Sequence, residues 1–321
     1  MIPAVHAVPG GRPIGIFSSS PARAERLARE LSLERAYPSL DALLSDPAIE
    51  AVYVSTTNDL HAPRTIAAAQ AGKHVLCEKP LAVSLQDAIR MHDECRAAGV
   101  VLGTNHHYRG AAVMRSMREL VGQGAVGEIL AARVVDATVL PESMRTWRID
   151  SPEAGAGVTL DLTVHEADIM RFLLDDEILE VTALAANHGF AQNTIEDSIM
   201  GVMRTRREAL VSFHSSFTTP HAGALIEIHG RDGSLIGEDC LSIEPIGSLV
   251  LRRSDTVRSI AVSKQQPLYE HAIARFNEAV RGLGHPVASG ADGIASLAVA
   301  LAALESARTS RTIRVQDGTE L

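Results

Sequence analysis

The chain has 321 residues, 30 basic and 39 acidic side chains, and a formal net charge of −9. At roughly 100–200 residues per domain, that length calls for two domains, each large enough to bury its own core. With 46% hydrophobic and 21% charged residues the chain reads as globular rather than disordered, and 3% aromatics with net negative charge exclude a nucleic-acid partner.

The first third alternates short apolar runs with helical patterns. Residues 14–17 form an extended run ending in Ser18-Ser19-Ser20, followed by a helix over 22–31. Ser39 stands where an N-cap would start a short helix over 40–44. Residues 51–54 read as a second strand, followed by Ser55-Thr56-Thr57-Asn58 and a helix over 62–71 stopped by Gly72. Residues 74–77 read as a third strand ending in Glu78-Lys79-Pro80. Ser84 caps a helix running to about 97, Gly99 lies just beyond it, and 100–103 form a fourth strand. Strands separated by helices of this length predict βαβ units and a doubly wound parallel sheet. In such a sheet ligands sit at the carboxyl ends of the strands, here Ser18, Ser55 to Asn58, Glu78-Lys79 and Thr104-Asn105.

Beyond residue 104 the texture changes. A long strand is expected over 127–138 and a helix over 157–174. Extended runs follow at 178–185, 198–204, 209–217, 223–230 and 248–253. Helices over 268–281 and 293–308 close the pattern. Consecutive strands after a helix predict an α+β domain with a large, mostly antiparallel open sheet. The expected division is 1–104 for a Rossmann-like domain and 105–321 for a substrate-binding one. The longest apolar stretch, near 295–304, is shorter than the ~20 residues of a membrane span, and residues 1–12 lack a signal-peptide pattern. Cys77, Cys95 and Cys240 are odd in number and widely spaced, which suits a reducing cytoplasm. No membrane and no metal site are expected.

Two features bear on chemistry. Asp161 and His165 are four apart in a helical run, so they lie about 40° apart on one face, within reach of one ligand. On a helix such a pair is more often a surface or capping pair, so alone it is weak. Lys79, at a strand's carboxyl end, points its ammonium into the ligand crevice, and Pro80 fixes the backbone after it.

His74-Val75-Leu76-Cys77-Glu78-Lys79-Pro80-Leu81, together with Asp161-x-x-x-His165, resembles the Gfo/Idh/MocA family of NAD(P)-dependent sugar oxidoreductases. Val52 to Asn58 with His61, Val101 to His107, Trp147-Arg148, Asp161 to Asp168 and Leu268-Tyr269-Glu270 extend the match over nearly the whole chain. The resemblance implies a Rossmann domain followed by an α/β domain with a large open sheet. It places Ser55, Thr56, Thr57, Asn58 and His61 along the cofactor's pyrophosphate and nicotinamide side. It puts Glu78, Lys79 and Asn105 around the nicotinamide ribose and ring, with Trp147, Arg148 and Tyr269 closing over it. Lys79, His165 and Asp161 then face the substrate, a small keto-sugar or polyol.

Reduction fits these residues, because negative charge developing on a carbonyl oxygen needs nearby cations and then a proton. Histidine's reference pKa of about 6.5 suits it to the proton, and lysine's, near 10.4, to charge stabilisation. His106 and His107 fit the pocket or ordinary packing equally. Ser18, Ser19 and Arg23 at the end of the 14–17 strand favour a ribose 2′-phosphate, so NADP(H) is expected over NAD(H). The family's opening strand and glycine-rich turn have no counterpart here, and Gly10-Gly11 stands in the wrong context to replace them. The natural protein is therefore expected to begin about one strand and one turn upstream of Met1, and without that strand a gap is expected between 14–17 and 51–54. The alternatives are a polyol dehydrogenase working oxidatively and a non-catalytic sugar or dinucleotide sensor, either as a monomer or a homo-oligomer.

Overall fold

Serine starts three of the early helices. In this computed structural model, which describes residues 1–192, 194–244, 246–262 and 266–316, Ser20, Ser39 and Ser84 accept hydrogen bonds from the backbone N–H groups of Arg23, Ala42 and Asp87. Each satisfies a donor that the first helical turn leaves free. The N-terminal elements are α1 (Ile2–Ala7), β1 (Gly15–Phe17), α2 (Pro21–Glu30), β2 (Arg35–Tyr37), α3 (Leu40–Leu44), β3 (Ala51–Val54), α4 (His61–Gln70), β4 (His74–Cys77), α5 (Leu85–Ala97) and β5 (Leu102–Thr104).

All ladders in this part are parallel, as the βαβ pattern predicts. They form two sheets, β1–β2 and β3–β4–β5, with no ladder joining β1 to β3 among the described residues. β2 was not expected from the sequence. Its three residues are too few to show an alternation, and it exists by pairing Gly15 to Phe17 with Arg35 to Tyr37. The Tyr37 hydroxyl donates to Asp46 at 2.5 Å, and Arg35 also pairs with that carboxylate.

The second part comprises α6 (Ala112–Gly122), β6 (Ile129–Val139), α7 (Trp147–Asp150), α8 (Val164–Leu174), β7 (Ile178–Ala186), β8 (Ser198–Thr205), β9 (Leu210–Ser216), β10 (Thr218–Gly230), β11 (Ser234–Glu238), β12 (Ser248–Arg253), β13 (Thr256–Ser259), α9 (Leu268–Val280), α10 (Gly290–Thr309) and β14 (Ile313–Arg314). Nine strands make one sheet in the order β13-β12-β11-β10-β6-β9-β8-β7-β14. Every pairing is antiparallel except β6 with β9. The mostly antiparallel open sheet is therefore present.

β6 sits mid-sheet, and Ala132 and Val134 belong to the core between this sheet and the helices. α8 lies on that face, burying Ile169, Met170 and Leu173 in the same core. α10 crosses from one core to the other: Leu297 and Ala300 pack under the parallel strands, and Val299 and Ala303 under the large sheet. At twenty residues α10 is, by length and composition, apolar enough to cross a membrane. The apolar run within it, 295–304, is shorter because Glu305 ends it and Asp292 stands before it. Its burial is that of a core helix joining the two cores.

Candidate active site

β4 ends where the chemistry begins. The Lys79–Pro80 bond is cis. The Lys79 ammonium donates to the Asp161 carbonyl oxygen at 2.6 Å and to Asp161 Oδ1 at 2.7 Å. Both side chains are largely withdrawn from water, 12% and 11% exposed. The Arg148 guanidinium lies 3.5 Å from Asp161 Oδ2 and stacks on the Trp147 ring. Burial pushes the Asp161 carboxyl upward, but Lys79 and Arg148 outweigh it, and the group is held below the usual carboxylate range.

Asp161 is not on a regular α-helix. Residues Thr159–Thr163 form a π turn that runs into α8. The simple 40° relation expected between Asp161 and His165 is thereby replaced by a wider turn, a local irregularity frequent at functional sites. Glu196 sets its start: Oε1 accepts from Thr159 N–H at 3.1 Å, and its carbonyl accepts from Val158 N–H. Gly157, at φ +113°, makes that approach possible, since a Cβ there would lie 2.4 Å from Glu196 Oε1.

His165 opens the second turn of this segment and is 4% exposed. Its ring lies 4.7 Å from Tyr108, 5.3 Å from His107 and 5.7 Å from His106, centroid to centroid. His107 in turn meets Tyr269 at 5.1 Å. His165 Nδ1 is buried without a hydrogen-bond partner among the described residues. Burial, reinforced by the Lys79 ammonium and the other two histidines, pushes His165 well below its ordinary pKa. At neutral pH it is an uncharged imidazole, not the imidazolium that the reference value allows. His106 is pushed down to about 4, chiefly by burial, and its Nε2 pairs with Ser296 Oγ at 2.8 Å.

On the other side of Lys79, Glu78 collects donors. Asn105 Nδ2 gives to Glu78 Oε1 at 2.7 Å, the Tyr53 hydroxyl donates to the same oxygen, and Asn105 Oδ1 is buried and unpaired among the described residues. Ser55 and Thr56 are exposed at the end of β3, and Asn58, at the end of the same segment, donates to the Gly155 carbonyl at 3.2 Å. His61 departs from expectation. Its ring is fully buried between the Pro80 and Thr56 carbonyls, at 2.8 and 3.3 Å, so it ties the β3 and β4 loops together instead of facing the crevice. Ser18 and Ser19 end β1, and Arg23 is exposed on the first turn of α2. The polar set fits a nicotinamide dinucleotide: hydroxyls and a guanidinium at strand ends for phosphates, and the Asn105 carbonyl beside Glu78 to accept from a ribose hydroxyl or a carboxamide N–H.

Sequence reasoning missed three groups here. The Tyr108 ring packs against His165 at a tilt of 48°, and its pKa is raised mainly by burial. Asp136, on β6, is a carboxylate at a core-facing position of an apolar strand, which is the signal that marks it. Arg109 forks onto Asp168 at 2.8 and 2.6 Å and reaches Asp292 at 2.9 Å, locking the histidine-bearing turn to α8 and α10. Asp168→Ala leaves that buried guanidinium with Asp292 as its remaining carboxylate partner and should cost about 3–5 kcal/mol in urea unfolding. A loss under 1 kcal/mol would show that the fork does not hold the turn.

Comparison with known proteins follows the same division. Residues 1–106 match the model described as oxidoreductase family, NAD-binding Rossmann fold, and residues 114–236 match the GFO/IDH/MocA C-terminal domain. The chain is 43% identical over 309 residues to 1,5-anhydro-D-fructose reductase of Ensifer adhaerens, covering 96% of this chain and 92% of that protein. Among solved structures, the aldose-aldose oxidoreductase of Caulobacter crescentus in complex with glycerol superposes with a TM-score of 0.90 at 23% identity, over 98% of this chain and 94% of that one. A levoglucosan dehydrogenase bound to NADH and levoglucosan gives 0.88 at 24% identity, over 98% and 95%. At those identities the likeness is one of fold.

Proposed function

The chain belongs to the Gfo/Idh/MocA family of oxidoreductases, and from that premise we propose that it is an NADPH-dependent reductase of a small keto-sugar, 1,5-anhydro-D-fructose going to 1,5-anhydro-D-mannitol being the leading reaction. The observation that carries the reading is the buried Lys79–Asp161 ion pair with the His165 ring on the same segment. Residues 1–104 form the cofactor-binding part and 105–321 the substrate-binding part. The cysteines are free and buried, which suits a reducing cytoplasm.

A bound nicotinamide dinucleotide supplies the hydride. The protein's own groups manage the oxygen. Lys79 directs its ammonium at the carbonyl oxygen and stabilises the negative charge that develops there. Asp161, accepting from that ammonium and held by Arg148, keeps Lys79 in position. His165 passes the proton to or from the same oxygen. Glu78, Lys79 and Asn105 hold the nicotinamide ribose side, Ser55, Thr56, Thr57 and Asn58 the pyrophosphate side, and Trp147, Arg148 and Tyr269 close over the ring. Steady consumption of NADPH absorbance with a keto-sugar panel tests the reaction; binding without turnover across the panel would leave a sensor.

One observation favours a second reading within the family. A neutral His165 is a ready proton acceptor, so oxidation of a sugar or polyol is served as well as reduction. Rates in both directions on one substrate pair decide between them.

Cofactor choice is testable at the end of β1. Ser18, Ser19 and Arg23 offer hydroxyls and a cation to a 2′-phosphate, and no carboxylate stands among them to repel it. Ser18→Asp should lower the NADPH/NADH ratio of kcat/KM by about 10–100-fold, through repulsion of the phosphate and a new acceptor for the ribose hydroxyl. An unchanged ratio would remove these residues from the cofactor site.

A further inference from the structure

One buried carboxylate beside the site takes no part in the chemistry described so far. Asp136 is in mid-β6, and because side chains alternate along a strand it shares a face with Ala132 and Val134, toward the helices. It is 6% exposed, and its Oδ2 is buried with no hydrogen-bond partner among the described residues. The charged and titratable groups that interact with it are Lys79, Asp161 and Tyr108 at the active site, together with Glu166 and the core residue Cys240.

Its position is tightly held. Asp136 N–H donates to Glu166 Oε1 at 3.1 Å, and Glu166 is the residue after His165 on α8. Glu166 Oε2 accepts from Ser215 Oγ at 2.5 Å, and Ser215 pairs with Thr163 Oγ1 at 2.6 Å. This fully buried network clamps β6 and β9 onto α8, so Asp136 and His165 are fixed relative to one another. The backbone of Asp136 is satisfied, but its side chain is not. An unpaired carboxylate oxygen in such a place is costly and calls for a partner, which a bound water, an ion or a ligand group can supply. An alanine or valine, as at the other positions on this face, would avoid the cost.

We propose that Asp136 reads the substrate: its carboxylate hydrogen-bonds a sugar hydroxyl other than the oxygen handled by Lys79 and His165. This rests on the keto-sugar reading above and deepens it, making Asp136 a specificity-determining residue. Burial pushes its carboxyl up to about 7, with Lys79 opposing and Asp161 adding to the shift. Near neutrality the group therefore both accepts from a hydroxyl and, when protonated, donates to one. A site built to satisfy such a group with a hydroxyl discriminates against the analogue that lacks it, whose buried polar partner is left unpaired.

The experiment is a cycle between enzyme and substrate. kcat/KM is measured for wild type, Asp136→Asn and Asp136→Ala on a keto-sugar and on its monodeoxy analogues. Wild type is expected to reject one analogue by about 10–100-fold. Asp136→Ala is expected to lose a similar factor on the parent sugar and to change by less than about threefold on that analogue. Asp136→Asn, which keeps the shape and one acceptor oxygen, is expected to fall between them, and matching thermal melts exclude misfolding. Additive effects at every deoxy position would overturn the assignment. If wild type turns over no keto-sugar, the reaction proposed above fails on its own. The same cycle, run by calorimetry on the binding of polyols and their deoxy analogues, then decides the role of Asp136.

Discussion

Lys79→Ala is expected to lower kcat/KM by about 10³–10⁴-fold, equivalent to about 4–5 kcal/mol of transition-state stabilisation at 1.36 kcal/mol per tenfold. Two losses combine. The developing alkoxide loses its cation, and removing one well-placed donor to such an oxygen ordinarily costs about 10²–10³. Asp161 then remains in a buried site with only Arg148, 3.5 Å away, to balance it. Its carboxyl moves up from the depressed range that Lys79 helps to maintain, and the polarity of the crevice changes. Because both effects run through one ion pair, Lys79→Ala/Asp161→Ala should lose much less than the sum of the single variants. Lys79→Arg should rescue poorly, since a planar fork does not reproduce a compact ammonium that points at both Oδ1 and the carbonyl of Asp161. A thermal melt matching that of wild type separates lost chemistry from lost structure. A variant within tenfold of wild type would remove Lys79 from the reaction.

What could be read without the structure was whatever is local. Ser39 and Ser84 announce their helices because a cap needs only its own three following residues, and both helices start where expected. β4 and its Glu78-Lys79-Pro80 end are equally local, and so is the βαβ rhythm of the first third. α6 escaped because its N-cap residue, Ala111, has no side-chain acceptor to mark the start, although its Val113, Met114 and Met117 are buried. β11 and β13 are five and four residues long, and β13 is exposed throughout, so neither carries an alternation to detect. The π turn was illegible for another reason. It depends on Glu196, 37 residues away, accepting from Thr159, and no window around Asp161 contains that partner. The same holds for the protonation of His165. The residue was visible as a candidate, but the packing that buries it, and with it the ammonium and the two histidines that add to the shift, come from other elements.

That neutrality gives the second large effect a definite sign. His165→Asn should lower kcat by about 10²–10⁴-fold while changing KM little, since proton transfer by a positioned side chain contributes that much. For reduction the imidazolium is the competent form. Its pKa lies below the ordinary value, so the fraction present at pH 7 is small and grows as the pH falls. Reductive kcat should therefore rise on acidification from pH 8 to 6, and His165→Asn should flatten the profile. For oxidation the neutral imidazole is competent and already dominant, so that profile should stay level through neutrality and fall only at the depressed pKa. Burial is the main cause of the shift and Lys79 the next. Lys79→Met, which removes the cation but keeps the stem, should then move the oxidative limb toward higher pH, and only in part. With a loss of about 10³–10⁴-fold expected for removal of the cation, that profile is to be recorded at high enzyme concentration. A limb that does not move would mean that Lys79 and His165 titrate independently, and the two could not be acting on one oxygen.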